Sequence, residues 1–171
     1  MVHLPVNHPS RPLLRVIAAL IGLYILAFGV VGLIETLGLP FFDRGDNWAL
    51  GLQTNPAFSG LSILAGAVVA AGAVYGHNLD HFINLAGGVL FLVAGLVMMT
   101  LLHTDANLLN FSMTNCTVSF VIGMALLVAG LYGKAGSPEL AEREEELRHG
   151  GAGRQEYDER IGSGERGRPG V

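Results

Sequence analysis

Charge is what this sequence lacks most. Ten basic and fourteen acidic side chains make up 14% of its 171 residues. Only eight of them fall in the first 133 positions: Arg11, Arg15 and Arg44 against Glu35, Asp43, Asp46, Asp80 and Asp105. A soluble domain carries about 25% charged residues, and one this short has a large surface to cover relative to its volume. With 51% hydrophobic residues and a mean hydropathy of +0.49, a soluble enzyme is disfavoured before any motif is read. Cysteine is nearly absent. The single Cys116 excludes an intrachain disulfide and with it a secreted disulfide scaffold. Basic excess is absent too, since the formal net charge is −4, so no nucleic-acid partner is expected. The chain also lacks a CxxC pair, a serine-histidine-acid arrangement and a glycine-rich phosphate loop.

What it has instead is long apolar runs. Four segments, 16–34, 57–76, 82–102 and 116–133, contain no Asp, Glu, Lys or Arg. At about 1.5 Å rise per residue each reaches roughly 27–32 Å, the thickness of a bilayer's hydrocarbon core. Backbone groups in lipid must be satisfied within the segment, which selects helices. The alternation of a transmembrane β-barrel is missing. Residues 1–136 are therefore predicted to form an all-α, four-helix transmembrane bundle of two tandem hairpins. The first run ends without a small-x-small cleavage signature and reads as an uncleaved helix.

Basic residues in the flanks set the expected orientation. Arg11 and Arg15 precede the first run, and Lys134, Arg143 and Arg148 follow the last. The second and third loops hold no Lys or Arg. Both termini are expected in the cytoplasm and the chain in the plasma membrane. Aromatic residues fall at the expected interfaces: Phe41, Phe42, Trp48, Phe58 and Phe111 at the outer ends, Tyr75, Phe82 and Tyr132 at the inner ones. The first loop, with Leu37–Phe42 and Trp48–Leu52, is apolar enough to lie in the outer headgroup layer or to cap the bundle.

The hairpins resemble each other. Ser62, Gly66, Tyr75 and Gly76 recur as Ser119, Gly123, Tyr132 and Gly133. Ile17, Gly22, Leu26, Gly29 and Val31 recur as Ile83, Gly88, Leu92, Gly95 and Val97. Each hairpin starts from the same side, so the repeats are expected to be parallel, about an axis along the membrane normal. Small residues mark helix contacts, because lipid supplies no hydrophobic drive between helices. These are Gly22 and Gly29 on the first helix, Ser62, Gly66 and Ala70 on the second, Gly88 and Gly95 on the third, and Ser119 and Gly123 on the fourth. Packing inside the bundle is the preferred use over an oligomer interface.

No ionisable group sits at mid-membrane, which argues against a proton pump, a voltage sensor or an ion-coupled transporter. The polar candidates are Glu35, read as an interfacial carboxylate, and Asn84 and Asn115, read as helix-to-helix hydrogen bonders or caps. The inner turn His77-Asn78-Leu79-Asp80-His81 has metal-ligand residue types, with His77 and His81 on one face if helical. One turn supplies at most three ligands, however, and a zinc site needs about four, or three plus water. The turn is read as structural, with Asp80 as N-cap of the third helix and no metal. A bis-histidine haem is disfavoured because His81 and His103 would stand roughly 33 Å apart. No cofactor is expected. Residues 137–171 read as a charged cytoplasmic tail with one short helix over 138–149 and disorder beyond.

The stretches LPFFDRGDNWALGLQTNPAFS (39–59), NLDHFINLAGGVLFLVAG (78–95) and TNCTVSFVIGMALLVAGLYG (114–133) resemble the domain-of-unknown-function family 4383, small bacterial membrane proteins found mainly in actinobacteria. The resemblance covers roughly residues 2–136. It implies a four-helix integral membrane protein and brings no activity or site residues. Two function classes stay open. One is a structural or accessory membrane component whose partners are the lipid bilayer and either a second copy or another membrane protein. The other is a small-solute or lipid-handling channel, transporter or redox protein with a site between the repeats, near their axis and between Asn84 at the inner end and Asn115 at the outer end.

Overall fold

A computed structural model describes residues 7–137. The expected tail and its helix over 138–149 lie outside the described residues. Four helices follow one another: α1 (Arg11–Glu35), α2 (Pro56–Tyr75), α3 (Leu79–Leu101) and α4 (Met113–Leu131). Within the first loop, strands β1 (Trp48–Ala49) and β2 (Leu52–Gln53) form a small antiparallel hairpin. The chain is an all-helical bundle of two hairpins, α1 packed along α2 and α3 along α4, with thinner contact between the pairs.

The helices begin before the uncharged runs do, because charge is excluded from lipid and not from helices. α1 takes in Arg11, Arg15 and Glu35, and α3 takes in Asp80 and His81. At 25 residues, α1 spans about 37 Å, longer than a hydrocarbon core of about 30 Å. Its first turn therefore reaches headgroup level or the helix tilts.

Local chemistry fixes the ends. Asn55 caps α2, its side-chain oxygen accepting from Phe58 N at 2.8 Å, with Pro56 opening the helix. Ser112 and Asn115 form a reciprocal capping box at α4, satisfying free N–H groups at both positions. Between α2 and α3 the chain reverses through Gly76 (φ 65°) and His77 (φ 57°), both left-handed. A Cβ on Gly76 would meet the Arg15 guanidinium at 2.6 Å, so conformation and space both require glycine there. The β1–β2 turn is Leu50-Gly51, both at positive φ, a type I′ pattern that suits the strand twist. Ala49 and Leu52 bury against Phe28 and close the loop end of the bundle.

Glycine brings the helix backbones together. A Cβ on Gly22 would lie 2.6 Å from the Ala70 nitrogen, and one on Gly66 would strike the backbone of Leu26. The second hairpin repeats this: Gly88 abuts Leu127, and Gly123 abuts Leu92. Gly29 lies against Ser59 and Ile63 as Gly95 lies against Cys116 and Phe120. Equivalent positions pack equivalently in both hairpins. Ser62 and Ser119 are buried on the same helices. Between the hairpins a separate apolar cluster joins Ala18, Ile25, Val69, Ile122, Leu126 and Ala129. Val69 lies off the Ser62–Gly66–Ala70 row, yet it is only 3% exposed. α2 therefore buries two adjacent rows, one on α1 and one toward the second hairpin.

The outward faces are apolar. Leu20, Leu64, Leu90 and Val121, one from each helix, are exposed. Each helix is long and apolar enough to cross a membrane. An aqueous protein would not expose so much contiguous apolar surface, and the molecule is a multi-pass membrane protein. Gly66→Leu should destabilise it by about 1–3 kcal/mol or more through overpacking against backbone. Val68→Leu, on the exposed side of the same helix, should change little. Thermal unfolding in detergent measures both.

Candidate functional site

Polar side chains gather at the two ends of the bundle. At the loop end, asparagines join the two long loops. Asn55 Nδ2 donates to Asp43 O (3.0 Å) and Leu108 O (2.8 Å). Asn110, held at φ 53°, donates to Gly45 O (2.8 Å) and Thr54 O (3.0 Å). Asn107 folds the third loop on itself, donating to Leu102 O and Phe111 O and accepting from Phe111 N. Asn115 accepts from Gln53 N (3.1 Å) and donates to Gln53 O (2.8 Å), tying β2 to α4. The Thr54 and Ser59 hydroxyls pair at 2.8 Å beside Gly32. Arg44 reaches Asp105 and Thr104 O on the outer surface. This end is a clamp in which Asn55, Asn107, Asn110 and Asn115 bond to backbone groups.

The opposite end, which carries both ends of the described chain, is built from α1, the α2–α3 turn and the end of α4. Arg15 Nε donates to Ala73 O at 2.5 Å and Nη2 to Val74 O at 2.6 Å. None of the four described helices has a basic residue in its own last turn. Arg15 instead supplies the cation for the free carbonyls of α2 from a neighbouring helix. Arg11 Nε donates to Gly133 O (2.9 Å) and Nη2 to His77 O (2.8 Å). Its Nη2 also lies 3.7 Å from Asp80 Oδ2, with the aspartate side chain 3% and the arginine side chain 25% exposed. His81 is buried and its Nδ1 lies 2.6 Å from Gly130 O; a carbonyl only accepts, so Nδ1 carries the proton. Arg15 on Ala73 and His81 on Gly130 are the same interaction at equivalent positions of the two hairpins. Asn7 and Asn78 bind the segment after α4 through Gly136 and Ala135.

One buried polar atom at this end is unanswered. Asn84, one turn beyond Asp80, is 3% exposed, and its Oδ1 has no hydrogen-bond partner among the described residues. At the same end of the bundle an open groove of about 450 Å³ is lined by Arg11, Pro12, Arg15, Val16, Ala19 and Ala73.

These placements revise several expectations. Asp80 is not the N-cap of α3. The helix starts at Leu79, Asn78 holds the cap position without a side-chain bond, and Asp80 Oδ1 accepts from His81 N within the first turn. The two left-handed residues turn the chain early enough to start the helix ahead of it. His77 and His81 do not share a face: His77 is outside the helix and exposed, with its ring toward Tyr75 O, while His81 is buried. Among the described residues no three His, Cys, Asp or Glu side chains are grouped to hold a metal. Asn84 and Asn115 stand at opposite ends, near the starts of helices that run in opposite directions. Glu35 is exposed at the end of α1. Arg11, Arg15 and the loop asparagines are binding groups that the sequence alone does not mark as such. The repeated Asn in both loops is the signal that points toward them.

No family model matches the chain, and no curated protein or solved structure matches it either.

Asn55→Ala removes a helix cap and leaves two carbonyls without their donor. It should cost about 2 kcal/mol or more, read as a lower thermal midpoint in detergent. Gln53→Ala, whose bonds to Asn115 are through the backbone, should cost much less.

Proposed function

We propose that the protein is a structural or accessory component of the plasma membrane, with both termini cytoplasmic, acting through protein–protein association in the bilayer. The carrying observation is how its polar groups are used. Arg11, Arg15, His81, Asn55, Asn110 and Asn115 all bond to backbone of other segments, which holds the fold together. The small residues are used within the hairpins, so association would proceed through the Leu- and Val-rich outer faces or the loop cap. Membership of the domain-of-unknown-function family 4383 is part of the same proposal and rests on the resemblance of residues 2–136.

A second reading, a small-solute or lipid-handling channel, transporter or redox protein, is favoured by one observation: the unanswered Oδ1 of Asn84. A buried acceptor without a donor marks a place for water or a polar ligand.

Native mass spectrometry after extraction in mild detergent separates the two. The accessory reading expects a second copy or a stoichiometric polypeptide partner. A monomer carrying a stoichiometric small solute, metal or haem would put the second reading first. Orientation is tested by cysteine labelling of intact cells in a Cys116→Ala background. Asp46→Cys should react with an impermeant reagent and Ser137→Cys should not; the reverse would overturn the charge argument.

A further inference from the structure

We infer that the groove beside α1 is a binding site for one anionic phospholipid of the leaflet that Arg11 and Arg15 reach. The two arginines are one helical turn apart and both line the groove. Each is fixed in the same way. Nε and Nη2 are held by backbone carbonyls, and Nη1 donates to no protein group among the described residues. A guanidinium has five N–H donors in a rigid plane. One held along a single edge by carbonyls offers the rest, pre-oriented, to phosphate oxygens. Asp80 offsets part of the charge of Arg11, while among the described residues no carboxylate forms an ion pair with Arg15.

The remaining lining, Pro12, Val16, Ala19 and Ala73, is apolar. Of these, Val16 and Ala19 lie further along α1, where lipid acyl chains would lie. Cations above an apolar channel match a phospholipid, with its phosphate at the arginines and a chain along Val16 and Ala19. The second hairpin accounts for the groove being on the first. There Leu85 packs on Gly130, so close that a Cβ on Gly130 would lie 2.8 Å from Leu85 Cγ. The corresponding pair in the first hairpin is Ala19 and Ala73. His81, in the place of Arg15, is buried on Gly130.

The inference needs the membrane reading but neither the accessory role nor the cytoplasmic orientation. Full-length protein in detergent is titrated with phosphatidylglycerol, and separately with phosphatidylcholine of the same acyl chains, and lipid retained per chain is read by native mass spectrometry. One phosphatidylglycerol should be retained with clear preference over phosphatidylcholine. Arg15→Gln should weaken it roughly fivefold, the value of about one charge at a membrane surface. Because Arg15→Gln also frees the α2 carbonyls, Ala19→Phe serves as the second variant: it fills the groove and leaves both arginines in place, and it should abolish the preference.

Equal retention of the two lipids would overturn the proposal and leave the groove to an uncharged occupant or an acidic polypeptide segment. So would displacement of the lipid by inorganic phosphate, which would make the site one for the free anion. Unchanged preference in a folded Ala19→Phe protein would overturn it as well. Because retention is counted per chain, a lipid-binding monomer with a bound solute would keep this site and remove the accessory reading.

Discussion

Everything in this molecule depends on how closely helix backbones can approach where no water is present to drive them together. In lipid, a leucine gains nothing by moving from acyl chains to another helix, so packing must come from shared surface and from polar groups. Gly22 against Ala70 and Gly66 against Leu26 bring α1 and α2 to backbone contact, and Gly88 and Gly123 do the same for α3 and α4. Close approach lets long stretches of backbone touch, and the dispersion attraction between them is small per atom pair and large in sum. It also places the ends of each helix beside its neighbour. Arg15 on α1 can then reach the final carbonyls of α2, and His81 on α3 can reach Gly130 on α4.

The loops complete what the glycines begin. A helix end within or near lipid leaves carbonyls and N–H groups that water satisfies poorly. This chain answers them from other segments, with asparagine at the loop end and arginine at the terminal end. Each asparagine amide carries two donors and an acceptor. Asn55 uses all three functions, holding the start of α2, the first loop and the third loop at one point.

How much of this the sequence shows follows from range. Absence of charge over 18 or more residues is a local property, and the four spans are legible from it, as are the small residues that recur between the hairpins. The helix starts are less legible, since Arg11, Arg15 and Asp80 are helical although charged. Long-range pairing is not legible at all. Asn55 meets Leu108, and Asn110 meets Gly45 and Thr54; no spacing encodes such partners. Arg11 and Arg15 read in sequence as orientation signals only, because their carbonyl partners lie on helices brought near by the glycines. Val69, off the small-residue row of α2, is buried because that helix packs against two neighbours, not one.

The unequal packing within and between hairpins gives the bundle a mechanical grain. Each hairpin is closed along its length by backbone contact, while the pair is joined by apolar side-chain clusters, the asparagine clamp at one end and the Arg11 bonds at the other. Lateral tension in a stretched or thinned bilayer would fall on that seam first. Contact is dense within each hairpin and thinner between them, so the line between the hairpins is where the bundle has least to separate.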